Sequence, residues 1–367
     1  MKKLGFGCMR FPTLGGDSKQ IDKETVCRMF DAFLAAGFTY VDTAYPYHGG
    51  QSELAVKECL VQRHPRSSFL LADKLPMVRV KSAEDLPRFF DEQIEKCGVE
   101  YFDYYLLHNL GKENYAKSLE TNAFDFLRKV KAEGRARHVG FSFHDTADVL
   151  ERILTEQPDV DFVQLQINYF DWESISVQSR QCLEVANRHG VPVVVMEPVK
   201  GGGLADPIPE VKTLLQQAGT GSPASWAIRF AASQPGVFMV LSGMSDETQL
   251  ADNMGYMADF VPLTAGEQDL LLRCAGMIRE TGAVQCTACQ YCVEDCPMQI
   301  NIPALFAVWN TASGLAARNF PTMHYQRAVA GRGKAGDCIG CRVCESHCPQ
   351  HLPISTLMKD ISVKFDK

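Results

Sequence analysis

The 367-residue chain predicts an α/β fold: a (β/α)8 TIM barrel followed by a small, mainly helical domain built round cysteines. Three observations carry this reading. From residue 4 to about 257, eight short apolar runs alternate with amphipathic stretches of helical period. The runs Phe69–Ala72, Phe162–Ile167 and Val191–Met196 are mostly apolar rather than alternating, as parallel strands covered on both faces are. After Pro262 the alternation stops, and from Cys286 a cysteine pattern is written twice. The competing architecture is a doubly wound open sheet with a Gly-rich first turn. Gly5-Phe6-Gly7-Cys8-Met9-Arg10 lacks both the third glycine and a helix directly after it. The expected division is a barrel over residues 1–262, then a linker helix and cysteine domain over 263–367.

Taken in order, Leu4–Cys8 is the first strand, and Lys23–Ala36 a helix stopped at Gly37. Thr39–Thr43 is a strand, Ser52–Gln62 a helix, Phe69–Lys74 a strand, and Ala83–Lys96 a helix ending before Gly98. Phe102–His108 is followed by one helix over Lys117–Ala132, and Val139–Phe143 by a helix over Ala147–Thr155. Phe162–Ile167 leads to the helix Ile175–Arg188, and Val191–Met196 to Pro223–Ala232. Val237–Leu241 and Thr248–Tyr256 complete eight β/α units. Gly266–Glu280 is an amphipathic helix leading into the cysteines. Between the two cysteine runs come a helical pattern, Pro303–Ala317, and a polar, Gly-rich stretch, Arg327–Asp337.

The first run is Cys286, Cys289, Cys292, Cys296 and Pro297; the second is Cys338, Cys341, Cys344, Cys348 and Pro349. Both read C-x2-C-x2-C-x3-C-P, the ligand spacing of proteins with two [4Fe-4S] clusters. Eight of the 14 cysteines are used there, and the other six lie scattered. A disulfide framework suits neither the size nor the paired gaps. Structural zinc takes ligands grouped in twos, not a triplet plus Cys-Pro. In such pairs the fourth cysteine of each run serves the other cluster. The expected ligand sets are Cys286, Cys289, Cys292 and Cys348, and Cys338, Cys341, Cys344 and Cys296. The long connection between the runs resembles the helical ferredoxin type, with a helix after each Cys-Pro.

Composition sets further bounds. Net charge is −7 with no long Lys/Arg run, so no nucleic-acid partner is expected. The opening Met1-Lys-Lys-Leu-Gly-Phe-Gly-Cys8 is too short and too soon polar for a signal peptide, and no apolar run reaches the roughly 18 residues of a membrane span. A cytoplasmic protein with reduced thiols and no membrane association is expected. Oligomeric state is not legible.

In a barrel, reactive groups stand at the C-terminal ends of strands. The second strand ends in Asp42-Thr-Ala-Tyr-Pro-Tyr47, the third in Asp73-Lys74, the fourth in Leu106-Leu107-His108, the fifth at Ser142, the sixth near Gln164–Asn168 and the seventh at Glu197. An Asp, a Tyr, a Lys and a His thus meet at one rim. A buried Lys beside a phenol is expected to lower the phenol's pKa, the Asp to hold the Lys, the Tyr to act as general acid, and the His to orient a carbonyl oxygen. Cys8 faces the same rim. His48, His144, His347 and His351 are expected on loops or the surface.

The residues Asp42-Thr-Ala-x-x-Tyr47, Gly49-Gly50-Gln51-Ser52-Glu53, Lys74 and Leu106-Leu107-His108 resemble the aldo-keto reductase pattern over roughly residues 3–257. The whole chain resembles the bacterial branch of that family fused to a two-cluster ferredoxin. The resemblance implies catalysis by Asp42, Tyr47, Lys74 and His108, with NADP(H) or NAD(H) stretched across the rim. It places Ser142 and Gln164 on the carboxamide, Met196 where an aromatic residue usually stacks, and Gly201, Gly203, Ser242 and Gly243 along the phosphates, with Gly7 as a further cofactor contact. Asp252 and Asn253 fall on the adenine side. Phe143 replaces the asparagine that usually follows the serine. Gly243 and Gln249 replace the Lys and Arg that commonly grip a 2′-phosphate.

Two functions follow as expectations. The first is a nicotinamide-dependent oxidoreductase acting on a small carbonyl compound, or in reverse on an alcohol, with an iron–sulfur tail that either exchanges electrons with a redox protein partner or only stabilises the end of the chain. The second is an electron-carrier or assembly subunit with a silent barrel.

Overall fold

In the computed structural model, residues 2–366 are described except Gly16, Ser176, Thr220 and 314–320. Eight parallel strands close into a barrel in chain order. They are β1 Leu4–Gly7, β2 Tyr40–Asp42, β3 Leu70–Leu75, β4 Phe102–Leu110, β5 Ala136–Phe143, β6 Phe162–Gln166, β7 Val193–Met196 and β8 Val237–Gly243. Closure is direct: Leu4 of β1 pairs with Val240 of β8. The predicted strands are all present, with shifts of one to three residues at their ends, the largest at β5, which begins at Ala136 rather than Val139.

The barrel is filled rather than hollow. Tyr40, Ala72, Leu106, Phe162, Val194, Met239 and Leu241 point inward and pack together, with Tyr104 against both Tyr40 and Phe162. A larger apolar layer, including Phe30, Phe33, Phe90, Phe124, Leu150 and Leu183, seals the outer strand faces against the helices. Local sequence explains the helix ends. Asp22 caps Lys23–Ala35 by accepting from the Thr25 amide, and Gly98 ends Asp85–Cys97 in the left-handed region at φ 68°.

Some expectations change. The single helix over Lys117–Ala132 is two, Lys112–Glu120 and Ala123–Ala132, because Asn122 turns the chain at φ 56°. The helix over Ser52–Gln62 is α-helical only over Ser52–Val56 and widens into a π turn over Lys57–Val61. A helix over Pro209–Ala218 has no counterpart in the sequence reading; it starts on a proline after a Gly-rich stretch that reads as loop. Pro303–Ala317 is a helix over Ile302–Ser313, and Ala317 lies outside the described residues. A further helix, Pro321–Val329, overlaps the stretch read as polar and Gly-rich.

Ala265–Glu280 opens with a Thr264/Glu267 capping box and lies along the barrel flank. Its Leu271, Cys274 and Ile278 pack with Leu215, Trp226 and Phe230 of neighbouring helices. The C-terminal unit has its own core, in which Ile300, Leu305, Phe306, Tyr325, Ile354 and Met358 surround the cysteine loops. A helix does follow each Cys-Pro: Ile302–Ser313 after Pro297 and Ile354–Phe365 after Pro349. Among the described residues, no helix is long and apolar enough to cross a membrane.

Candidate active site and cysteine centres

β2, β3 and β4 lie side by side, so their C-terminal ends bring Asp42, Lys74 and His108 to one rim, and Tyr47 follows β2 in a short helical turn. The Lys74 Nζ donates to Asp42 Oδ1 at 2.6 Å and to the Thr43 carbonyl at 2.6 Å. It also stands 4.8 Å from the centroid of the Tyr47 ring. Tyr47 and His108 meet edge to face with centroids 6.1 Å apart. All four are buried, Lys74 to 1% exposure and Tyr47 to 8%.

Burial dominates the electrostatics here. It raises the Asp42 carboxyl against the opposing pull of Lys74, and leaves Asp42 Oδ2 enclosed without a partner. It pushes the Tyr47 phenol well above its usual value, and the nearby Asp42 adds to the rise. The expected lowering of this phenol by Lys74 is therefore overturned: the ammonium is held by Asp42 and Thr43, and desolvation outweighs its field. His108 is driven well below its usual value, first by burial and then by the Lys74 charge, so its imidazole is neutral. Behind the rim, Asp73 is raised by burial and by Glu53, whose carboxylate also takes bonds from Gln93 and Lys96. Cys8 is buried and its thiol well raised, which leaves it no thiolate character.

The residues expected to hold a nucleotide lie along the same rim. Ser142 and Gln164 are partners across β5 and β6, and the Ser142 Oγ accepts from the Asn109 amide. Gly7 pairs with Gly243 across β1 and β8, and a Cβ on Gly243 would meet the Arg10 side chain. Ser242 accepts from Asn253 at 2.7 Å, and exposed Asp252 accepts from Ser222 at 2.6 Å. Met196 ends β7. Gly201 and Gly203 follow it, with Gly201 at φ 63°. Gln249 is turned back onto Asp246 and the Ser245 amide.

Part of this rim is covered by the C-terminal unit. Arg10 donates to the carbonyls of Thr287 and Ala288. A Cβ on Gly201 would come within 2.5 Å of the Thr287 carbonyl oxygen. Tyr291 places its hydroxyl 3.4 Å from His108 Nε2. Nearby, Lys200 is buried between Asp171, at 2.8 Å, and the Gln350 side chain, at 2.7 Å. Gln350 also exchanges two 3.0 Å amide bonds with Gln166. At the seam, Pro349 and His351 line a small cavity together with Phe143, His144 and Gln166. His144 lies in the loop after β5, as expected, with its Nδ1 enclosed there without a hydrogen-bond partner. None of Tyr291, Arg10, Lys200 or Gln350 was singled out by sequence. The only signal for Tyr291 is its place between Cys289 and Cys292.

The cysteines fall into two electrostatic groups. Cys286, Cys289, Cys292 and Cys348 act on one another, and Cys344 feels Cys338, Cys296 and Cys341. Among the described residues, no three His, Cys, Asp or Glu side chains converge closely enough to hold a single ion. The second group lines a cavity with Pro297, Met298, Ile300 and Met358. The all-sulfur donor sets and the apolar lining fit iron–sulfur clusters.

The aldo/keto reductase family model matches residues 3–274, and a 4Fe-4S dicluster domain model matches residues 285–352. An aldo-keto reductase of Mycobacterium sp. strain KMS is 30% identical over 131 residues, 36% of this chain and 45% of the relative. The chain thus spans less than half the length of that relative. An uncharacterized oxidoreductase, YqkF, of Bacillus subtilis is 22% identical over 286 residues, covering 69% of this chain and 86% of YqkF. Among solved structures, aldo-keto reductase AKR11C1 of Bacillus halodurans in its holo form has a TM-score of 0.60 at 24% identity, covering 74% of this chain and 91% of that one. An aldo-keto reductase of Klebsiella pneumoniae in complex with NADPH also has a TM-score of 0.60, at 20% identity, covering 74% and 90%. These structural likenesses show the fold.

Proposed function

The chain belongs to the aldo/keto reductase family, as an oxidoreductase barrel fused to a 4Fe-4S ferredoxin domain, and from that premise we propose that it reduces a small carbonyl compound with Tyr47 as general acid. The observation that carries this reading is the buried Lys74–Asp42 pair set beside Tyr47 and His108 at adjoining strand ends. A bound nicotinamide nucleotide supplies hydride to the carbonyl carbon. The carbonyl oxygen takes its proton from Tyr47, so that C=O, one hydride and one proton give the alcohol. The raised phenol keeps that proton until the oxygen becomes basic. Lys74, fixed by Asp42 and Thr43, provides a charge that stabilises the phenolate left behind. Neutral His108 retains one N–H to direct at the same oxygen. Ser142, Gln164, Met196, Gly201, Gly203, Ser242, Gly243, Gly7, Asp252 and Asn253 are the proposed nucleotide contacts. With Gly243 and Gln249 in place of cations, both NADH and NADPH are expected to bind.

The proposed cluster ligands are Cys286, Cys289, Cys292 and Cys348 for one [4Fe-4S] cluster, and Cys338, Cys341, Cys344 and Cys296 for the other. The clusters supply one-electron transfer, in exchange with a redox protein partner. Covering of the rim by Thr287–Tyr291 favours a second reading, in which the barrel is silent and the domain only carries electrons.

Anaerobic titration with NADH and NADPH separates the two readings. Nucleotide binding together with turnover of a carbonyl panel is expected, and the absence of both would leave the electron-carrier reading. Tyr47→Phe should lower turnover by about 10²–10⁴-fold while nucleotide still binds, and unchanged turnover would show that another group is the acid. Iron and sulfide analysis of the reconstituted chain should approach about eight irons per chain. About four would remove one of the two clusters.

A further inference from the structure

The five residues Thr287–Tyr291 belong to the first cysteine run by sequence and to the barrel mouth by position. Three separate parts of the rim hold them. Arg10, just after β1, donates to the Thr287 and Ala288 carbonyls. Gly201, after β7, lies so close to Thr287 that any side chain there would collide with backbone. At the end of β4, the Tyr291 ring meets His108 edge to face at 6.2 Å, with its hydroxyl 3.4 Å from Nε2. Tyr47, Cys289, Lys74 and Glu197 also act on its hydroxyl through their charges. The Tyr291 hydroxyl thus stands at His108 where the oxygen of a carbonyl compound or alcohol would stand.

The segment has little slack. Cys289 precedes Tyr291 by two residues and Cys292 follows it directly. Ala288 and Gln290 hold left-handed conformations, at φ 51° and 70°, which are unfavourable for non-glycine residues and persist only where surrounding contacts impose them. Once the rim contacts break, the segment has reason to relax into another path.

We propose that Tyr291 is a displaceable occupant of the tetrad pocket, and that a nucleotide binding across the rim withdraws Thr287–Tyr291 and so moves Cys289 and Cys292. Tyr291 is then a positioning residue that joins the barrel site to the first cysteine group. This rests on the nucleotide reading above. Linkage makes the coupling reciprocal: whatever the nucleotide does to the cluster environment, the state of the cluster does to nucleotide affinity.

The test uses the full-length, cluster-loaded, oxidised protein, with NADP+ and NAD+ as probes. Neither probe absorbs in the visible, so visible circular dichroism reports only the cluster environment, while calorimetry reports binding. In the wild type, the dichroism is expected to change and to saturate with the calorimetric isotherm. Tyr291→Ala removes the occupant. It should bind nucleotide on the order of tenfold more tightly, because the competent state is no longer masked, and its dichroism should not respond. Tyr291→Phe keeps the ring and should behave like the wild type. Arg10→Gln releases the segment at a second point and should tighten binding as well, which guards against a folding defect in the alanine variant. Wild-type binding with no change in dichroism would overturn the proposal, as would unchanged affinity in both Tyr291→Ala and Arg10→Gln. Binding to none of the four proteins would sink the nucleotide reading itself, and this coupling with it.

Discussion

At the scale of single residues, the pair formed by Lys74 and Asp42 matters for stability as well as chemistry. Both side chains are almost fully buried. Removing one partner of such a pair leaves an uncompensated buried charge, at a cost of about 3–5 kcal/mol. Lys74→Met should lose about that much in urea unfolding, and Lys74→Met with Asp42→Asn should recover part of it; strictly additive losses would show that the two do not act as a pair. The histidines at the rim make a pH prediction. Burial, with His351 nearby, pushes His144 down to about 3 from an ordinary 6.5, and His108 moves the same way. The folded state therefore binds fewer protons than the unfolded chain below about pH 6.5. The stability these neutral imidazoles confer is complete above that point and is lost as the pH falls toward 3. The carboxyls of Asp42 and Asp73, raised by burial, act in the opposite sense, so the readout is the difference that His144→Asn makes: from pH 7.5 to pH 5.5 its urea midpoint should change less unfavourably than that of the wild type, and an identical change contradicts this account. The four rim residues Asp42, Tyr47, Lys74 and His108 were legible because each stands at or near a strand end that period and composition locate. Tyr291 was not, because its partner His108 lies 183 residues away and no local pattern encodes that meeting.

At the scale of elements, strands read more clearly than connections. An apolar run bounded by turn residues has few alternatives, whereas the break at Asn122 depends on a single left-handed residue inside a helical pattern. The helix Pro209–Ala218 was hidden for a similar reason, since glycines and prolines on its N-terminal side read as loop. Register gives the sharpest element-level prediction. Gly140 of β5 faces Phe162 of β6, and a Cβ there would lie 2.1 Å from the Phe162 carbonyl oxygen. Gly140→Ala must push β5 and β6 apart, and is expected to cost about 3 kcal/mol in denaturant unfolding. A wild-type midpoint would mean that the two strands are not so closely apposed. The charged residues on neighbouring helices would not show such an effect, because exposed pairs such as Lys23–Glu58 contribute about 0–1 kcal/mol.

At the scale of the whole molecule, two apolar cores meet at a polar seam. The cysteines pack directly against the C-terminal core, so iron removal should loosen that unit well before the barrel. Hydrogen exchange on chelator-treated protein is expected to show protection lost in Ile302–Ser313 and Ile354–Phe365 and kept in β1–β8; uniform loss would mean that the two units unfold as one. The cluster motif and the barrel were each legible from sequence, one by spacing and the other by periodicity. Their contact was not, since Arg10, Lys200 and Gln350 are ordinary polar residues until the fold brings them together. The tyrosine between two cysteines also constrains how this chain can change: an insertion or deletion between Cys289 and Cys292 would disturb the cysteine spacing and the contact with His108 in one stroke.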